Sequence, residues 1–148
     1  MKLCSACLIG LECRYDGKSN LEKASVQFLE EFKEGKFIPI CPEQLGGMLT
    51  PRIPAEIQGK MSGEDVLDGK AKVISKTGED VTSQFTKGAY EVLKIAQAVE
   101  ATEFYGVQKS PSCGCGQTYD GTFTKTLIEG NGVTAALLKR SGLVVKAF

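Results

Sequence analysis

Three of the six cysteines each follow a short apolar segment that is typical of a β-strand. They are Cys7, Cys41 and Cys113. Because the carboxyl ends of parallel strands meet at one edge of a sheet, we expect these three thiols to converge there. Three converging thiolates favour a metal site, and the spacing alone leaves the kind of metal open.

The order of the apolar patterns predicts an α/β fold. Strands are expected at 2–6, 37–40, 104–107 and 143–147, and helices at 19–34, 80–99 and 131–138. Alternating strands and helices predict a single domain, residues 1–148, with an open, mostly parallel, Rossmann-like sheet of about four strands. Helices should cover its faces.

Three local signals place the boundaries. Ser19 with Glu22 has the pattern of a capping box, which predicts the start of the first helix. Pro39 favours an edge position or a bulge for its strand, because proline lacks the N–H of a central ladder. Residues 42–70 are rich in glycine and proline, so we expect a long loop that is either functional or disordered. A short strand follows at 71–75, in a small hairpin or in the main sheet.

The composition limits the possible chemistry. Lysine plus arginine and aspartate plus glutamate are equal at 18 each, so no net positive field favours nucleic acid or a membrane surface. The chain has no histidine, so proton transfer must use another group. No segment has the length of a membrane span, and we expect a cytoplasmic protein whose cysteines are not in disulfides.

A Cys-x-x-Cys pair at Cys4 and Cys7 suggests a thioredoxin-like redox motif, but only weakly. Such a motif lies at a helix N-terminus, whereas here Gly10 and a turn follow before any helix. The alternation of the first strand instead predicts that Cys4 is buried in the sheet as a small apolar residue.

Three groups of motifs resemble the thiouracil desulfidase family (the TudS and RudS proteins), formerly a domain of unknown function, in its stand-alone form. They are SACLIG with RYDG, CPEQLGG with PRIP and Glu56, and KSPSCG with YDGTF. They occur in the family's order between residues 3 and 123, which is nearly the whole chain.

The resemblance implies a four-iron, four-sulfur cluster held by Cys7, Cys41 and Cys113, with the fourth iron open to the sulfur of the substrate. It also implies the non-redox, hydrolytic removal of sulfur from thiouracil or 4-thiouridine monophosphate, which gives the oxo product and hydrogen sulfide. Cys4, Cys13 and Cys115 lie outside the shared cysteine positions. Their roles stay open.

That chemistry needs a proton acceptor and a hydroxyl near the cluster. Glu43, two residues after Cys41, is the candidate general base, with Asp16, Glu56 and Asp120 as reserves. Ser110 is the first candidate for the hydroxyl and Ser112 the second. Aspartates before glycine are otherwise typical turn caps, which is the simpler interpretation of Asp16 and Asp120.

A nucleotide substrate would also need cations for its phosphate. The candidate substrate-binding residues are Arg14, Tyr15, Arg52 and Lys109. The glycine-flanked start of the last helix, at 130–132, is a weaker anion candidate. The alternative function is a non-catalytic module that uses the same cysteines to bind metal or carry sulfur.

Overall fold

The computed structural model describes residues 1–148, which form eight strands and five α-helices. In chain order they are β1 (Lys2–Ser5), α1 (Val26–Lys33), β2 (Phe37–Ile40), α2 (Pro42–Leu45), β3 (Ala55–Ile57), α3 (Gly63–Leu67), β4 (Val73–Ser75), α4 (Thr82–Ala98), β5 (Glu103–Gly106), β6 (Gln117–Tyr119), β7 (Leu127–Glu129), α5 (Val133–Arg140) and β8 (Val144–Ala147). Short 3₁₀ turns cover Ala6–Ile9 and Leu21–Lys23. None of the helices combines the length and the apolar character that a membrane span requires.

Four strands form the main sheet, in the order β2–β1–β5–β8, and every neighbouring pair is parallel. The α/β fold class predicted from the sequence is therefore confirmed. Strand β2 is at an edge, as Pro39 indicated. The chain order reverses between β1 and β5, so the carboxyl ends of these two strands form the switch point at which such sheets bind ligands.

The first helix begins later than the capping-box pattern predicted. Ser19 and Glu22 precede a 3₁₀ turn, and α1 begins at Val26. Its N-cap is Ser25, whose Oγ accepts a hydrogen bond from the Phe28 N–H at 3.2 Å. Ser19 and Ser25 are both suitable N-cap residues. Ser25, three residues before the buried Phe28, caps the helix.

The long loop expected at 42–70 is instead largely ordered. It contains α2, β3 and α3, and β3 pairs in antiparallel fashion with β4, so the strand at 71–75 belongs to a hairpin. These elements are only three to five residues long, which is too short for a visible periodicity. A second hairpin joins β6 and β7 in antiparallel fashion, and β7 begins at Leu127.

Two apolar clusters form the core, and helix α4 contributes to both. Val92 and Ala96 pack with the buried side chains of the main sheet, whereas Phe85 and Ala89 pack with the β3–β4 hairpin region. Full burial of a side chain of this kind is worth roughly 1.5–3 kcal/mol. Helix α4 therefore ties the hairpin region to the main sheet.

Helix α2 lies directly against α4 because Gly46, directly after α2, and Gly88 of α4 lie at the contact. A Cβ atom on Gly88 of α4 would lie 2.0 Å from the carbonyl oxygen of Pro42. Only glycine allows such a close backbone approach. This contact sets the position of the Cys41-Pro42-Glu43 turn, which the sequence analysis singled out.

Candidate active site

A cavity of about 450 Å³ opens at the carboxyl ends of β1, β2 and β5. Four cysteines line it, namely Cys7, Cys13, Cys41 and Cys113. Cys7 lies in the 3₁₀ turn after β1, Cys41 directly after β2, and Cys113 in the loop after β5. The structure thus brings the three candidate ligands to one cavity, together with Cys13, and all six cysteines are unpaired.

Cys13 shares the cavity with Cys7 and Cys41, and its carbonyl oxygen accepts a hydrogen bond from Cys41 Sγ at 3.8 Å. A hydrogen bond from Cys13 lowers the pKa of Cys7 to about 7. Burial opposes this shift, and a hydrogen bond from Asn20 adds to it. The same contact with Cys13 lowers the pKa of Cys41. The pKa of Cys13 is raised, because its proton stabilises the two neighbouring thiolates.

Cys113 is in a different environment from the other two candidate ligands. Burial, and then the charge of Glu43, raise the pKa of this thiol well above its usual range. Its loop is held by the first turn of α5, where Val133 and Thr134 donate their N–H groups to the carbonyl oxygens of Pro111 and Ser112. The N–H groups of Gly130 and Gly132 are also engaged, by the carbonyl oxygens of Gly116 and Gly114, so the expectation of an anion site at 130–132 is wrong.

Close backbone packing also holds the loop of Cys113. A Cβ atom on Gly106, the last residue of β5, would lie 2.0 Å from the carbonyl oxygen of Cys113. Cys115, in the same loop, donates to that carbonyl at 3.4 Å, and burial raises its pKa to about 11. Cys4 lies inside the sheet as its strand alternation indicated, and burial raises its pKa to about 12.

Glu43, Ser112 and Ser110 form a hydrogen-bonded chain. Ser112 Oγ donates to Glu43 Oε1 at 2.6 Å, and Ser110 Oγ lies 3.2 Å from Ser112 Oγ. Ser110 Oγ also accepts the backbone N–H groups of Ser112 and Cys113, so its own proton is left for Ser112. Glu43 and Ser110 line the cavity, whereas Ser112 is fully buried behind them.

Arg52 connects the loops that carry the candidate ligands. Its Nη2 donates to the carbonyl oxygen of Cys13 at 3.0 Å and lies 3.9 Å from Glu43 Oε2. Its backbone N–H donates to the carbonyl oxygen of Tyr15 at 2.8 Å. Arg52 thus faces the cavity with part of its hydrogen-bonding capacity already used.

Arg14 also lines the cavity, and it too has protein partners. Its guanidinium donates to Asn20 Oδ1 at 3.0 Å and forms an ion pair with Asp16 at 3.2 Å. Asp16 also accepts the Lys18 N–H at 3.1 Å, which is the turn-capping role expected for it. The ring of Tyr15 is half-exposed at the mouth of the cavity.

Glu56 is a buried carboxylate that also lines the cavity. Its Oε1 accepts the N–H groups of Gly121 at 3.0 Å and Phe123 at 3.2 Å. Phe123 has a left-handed backbone, with φ of 57°, and its ring lines the cavity. Asp120 accepts the N–H and the hydroxyl of Thr122, so it caps its turn as expected.

Four exposed lysines stand at the mouth of the cavity, and we call them the rim lysines. They are Lys23, Lys76, Lys109 and Lys125. No salt bridge of the protein involves any of them. With Arg14 and Arg52, six cations line the cavity against two carboxylates, although the whole chain has balanced charge.

Comparison with known proteins identifies the family. Residues 3–147 match the 2-thiouracil desulfurase family. The chain belongs to this family. The uncharacterized protein YbbK of Bacillus subtilis (strain 168) is 48% identical over 142 residues, which cover 96% of this chain and 91% of YbbK. The family was thus recognisable from the motifs quoted above.

One solved structure has the same fold. It is that of the [4Fe-4S]-dependent thiouracil desulfidase TudS, at 37% identity and a TM-score of 0.87, and the match covers 99% of this chain and 89% of that one. In the present structure no three Cys, His, Asp or Glu side chains approach closely enough to hold a single metal ion. The thiols of this family member therefore do not form a ready-made site for one ion.

The sequence analysis missed several residues of the cavity. Asn20, Lys23, Lys76 and Lys125 were not singled out, and Cys13 was left without a role. An asparagine or a lysine in a polar loop is typical of a solvated surface, so the sequence does not distinguish these four residues from ordinary surface residues. For Cys13, its position directly before the RYDG turn was the available signal.

Proposed function

We propose that the protein is an iron–sulfur-dependent desulfidase that removes sulfur from a thiolated uracil compound by hydrolysis, releasing hydrogen sulfide and the oxo product. The observation that carries the proposal is the convergence of Cys7, Cys41 and Cys113 with Glu43 on one cavity. Membership of the family and the likeness to TudS support it.

The donor set suits a four-iron, four-sulfur cluster, because unpaired thiols are the ligands that such clusters take. We assign Cys7, Cys41 and Cys113 as its ligands. Held by three thiolates, the cluster would supply a Lewis acid with an affinity for the soft sulfur of a thiocarbonyl group. All three ligand loops begin at the same sheet edge, and their cysteines line one cavity.

Glu43 is the proposed general base. Its Oε1 already accepts the proton of Ser112, so Oε2 is the oxygen that can take a proton from water. Oε2 faces the Cys41 sulfur at 3.6 Å and the Arg52 guanidinium at 3.9 Å. When Cys41 is a thiolate it no longer offers a proton to Oε2, which leaves this oxygen available to a water molecule.

The two serines then have different roles. Ser112 is buried and does not line the cavity, so it orients the carboxylate of Glu43 and does not touch the substrate. Ser110 lines the cavity and can contact the substrate or return a proton through Ser112 as hydrosulfide leaves. The chain of hydroxyls connects the proton acceptor with the substrate side of the site.

The charge of the cavity favours a phosphorylated substrate, such as 4-thiouridine monophosphate, over a free base. The rim lysines have no carboxylate partner, so an anion can neutralise them without breaking an existing salt bridge. Arg14, Arg52 and Tyr15 stand beside them as further substrate contacts. A cytoplasmic location would suit the six unpaired thiols, because that compartment is reducing.

The test is hydrosulfide release by the anaerobically reconstituted protein from 2-thiouracil, 4-thiouracil and 4-thiouridine monophosphate. We expect catalytic turnover and, in ¹⁸O-labelled water, one solvent oxygen in the product. Turnover should need no reductant. Release of no more than one sulfide per protein would instead support the sulfur-carrier alternative.

A further inference from the structure

A row of polar side chains leads from the protein surface to the sulfur of Cys7. Asp16 pairs with Arg14 at 3.2 Å, and Arg14 Nη1 donates to Asn20 Oδ1 at 3.0 Å. Asn20 Nδ2 in turn donates to Cys7 Sγ at 3.2 Å. Asn20 is only 4% exposed, so its amide meets protein groups at both ends.

The partners of Asn20 fix the orientation of its amide. A guanidinium has only donors, so Arg14 requires the oxygen Oδ1 to face it. The nitrogen Nδ2 must then face the sulfur. The backbone N–H of Asn20 also donates to the carbonyl oxygen of Cys7 at 2.8 Å, which holds the two residues together independently of the side chain.

We propose that Asn20 is a positioning residue that donates a hydrogen bond to the Cys7 thiolate and thereby raises the reduction potential of the metal group bound there. The proposal rests on the proposed function only in taking Cys7 as a ligand. Reduction adds negative charge to the metal–thiolate unit. An N–H donor therefore stabilises the reduced state more strongly than the oxidised state. Arg14, through Asn20, would support the ligand in the manner of other outer-shell partners.

The test replaces Asn20 by leucine, which has a similar size and no donor. In the reconstituted protein we expect Asn20→Leu to shift the midpoint potential to a more negative value. We also expect higher iron–thiolate stretching frequencies in the resonance Raman spectrum, because the sulfur donates more strongly to iron without the hydrogen bond. Both measurements report on the ligand and are independent of turnover.

Asn131→Leu is the matched control. The amide of Asn131 also bridges two protein groups, the Gly116 N–H at 3.0 Å and the Glu64 carboxylate at 2.8 Å, but it contacts no cysteine sulfur. The midpoint potential of the Asn131→Leu variant should stay at the wild-type value. An Asn20→Leu potential equal to that of wild type, or an equal shift in both variants, would overturn the proposal.

A second variant decides the question if Asn20→Leu does not fold. Arg14→Met keeps the amide and removes its orienting donor, so we expect a smaller shift of the potential in the same direction. An unchanged potential in this variant would contradict the proposal. Failure of the ligand assignment is distinguishable, because Cys7→Ser would then keep its full iron content.

Discussion

The floor and the mouth of the cavity differ in how their polar groups are satisfied. On the floor, Glu43 and Asn20 are buried, as is Ser112 directly behind the floor, and each has hydrogen-bond partners within the protein. At the mouth, the rim lysines are exposed and form no salt bridge. The difference shows a preorganised region suited to chemistry below a region whose charges are available to a ligand from solvent.

This comparison predicts that changes on the floor abolish function, whereas changes at the mouth alter substrate selection. The largest effect should come from Cys113→Ser, which removes a buried thiol that we assign as a ligand. We expect complete loss of iron after anaerobic reconstitution, measured by iron content and visible absorbance. Cys115→Ser, in the same loop, should keep its iron, and equal loss in both variants would mean that the wrong thiol was chosen.

The next largest effect should follow Glu43→Gln, which keeps the volume but removes the proton acceptor. We expect turnover to fall by roughly 10²–10⁴-fold, the usual contribution of acid–base catalysis. The iron content should stay unchanged. Ser112→Ala should lower turnover less, because Glu43 keeps its carboxylate and loses only the hydrogen bond that orients it. If Glu43→Gln keeps near-normal turnover, the base lies elsewhere on the floor.

At the mouth, the double change Lys76→Ala with Lys125→Ala should affect phosphorylated substrates only. We expect KM for 4-thiouridine monophosphate to rise roughly tenfold, equivalent to about 1.4 kcal/mol, with KM for 4-thiouracil unchanged. The difference should shrink as salt is added, because exposed charges are screened. An equal rise for both substrates would show that these lysines do not contact a phosphate.

The smallest effect is a difference in the pH at which two cysteines of the metal-free protein react with an alkylating reagent. The hydrogen bond from Cys13 lowers the pKa of Cys7 to about 7, whereas burial raises that of Cys4 to about 12. Since the thiolate is the reactive form, alkylation of Cys7 should reach half its maximal rate near pH 7. Cys4 should stay unlabelled at that pH. In Cys13→Ala the midpoint for Cys7 should move upward, and an unchanged midpoint would contradict the assigned cause.

The strands of the main sheet and the cysteines that follow them were predictable from the sequence, because both depend on local patterns. An apolar segment of four residues predicts a strand, and Pro39 placed its strand at an edge because proline lacks a donor. Helix α1 was misplaced at its start because Ser19 and Ser25 both fit a cap. Packing of Phe28 in the core favours Ser25.

Only the tertiary structure decided how the loops share the cavity. Ser110 and Ser112 are two positions apart in one turn and chemically identical, yet one faces the cavity and the other is buried against Glu43, which lies 69 positions from Ser112. Lys23 and Lys125 likewise come from opposite ends of the chain to one opening. Local propensity depends on neighbours in sequence, whereas these roles depend on which distant loops pack together, so no local pattern could reveal them.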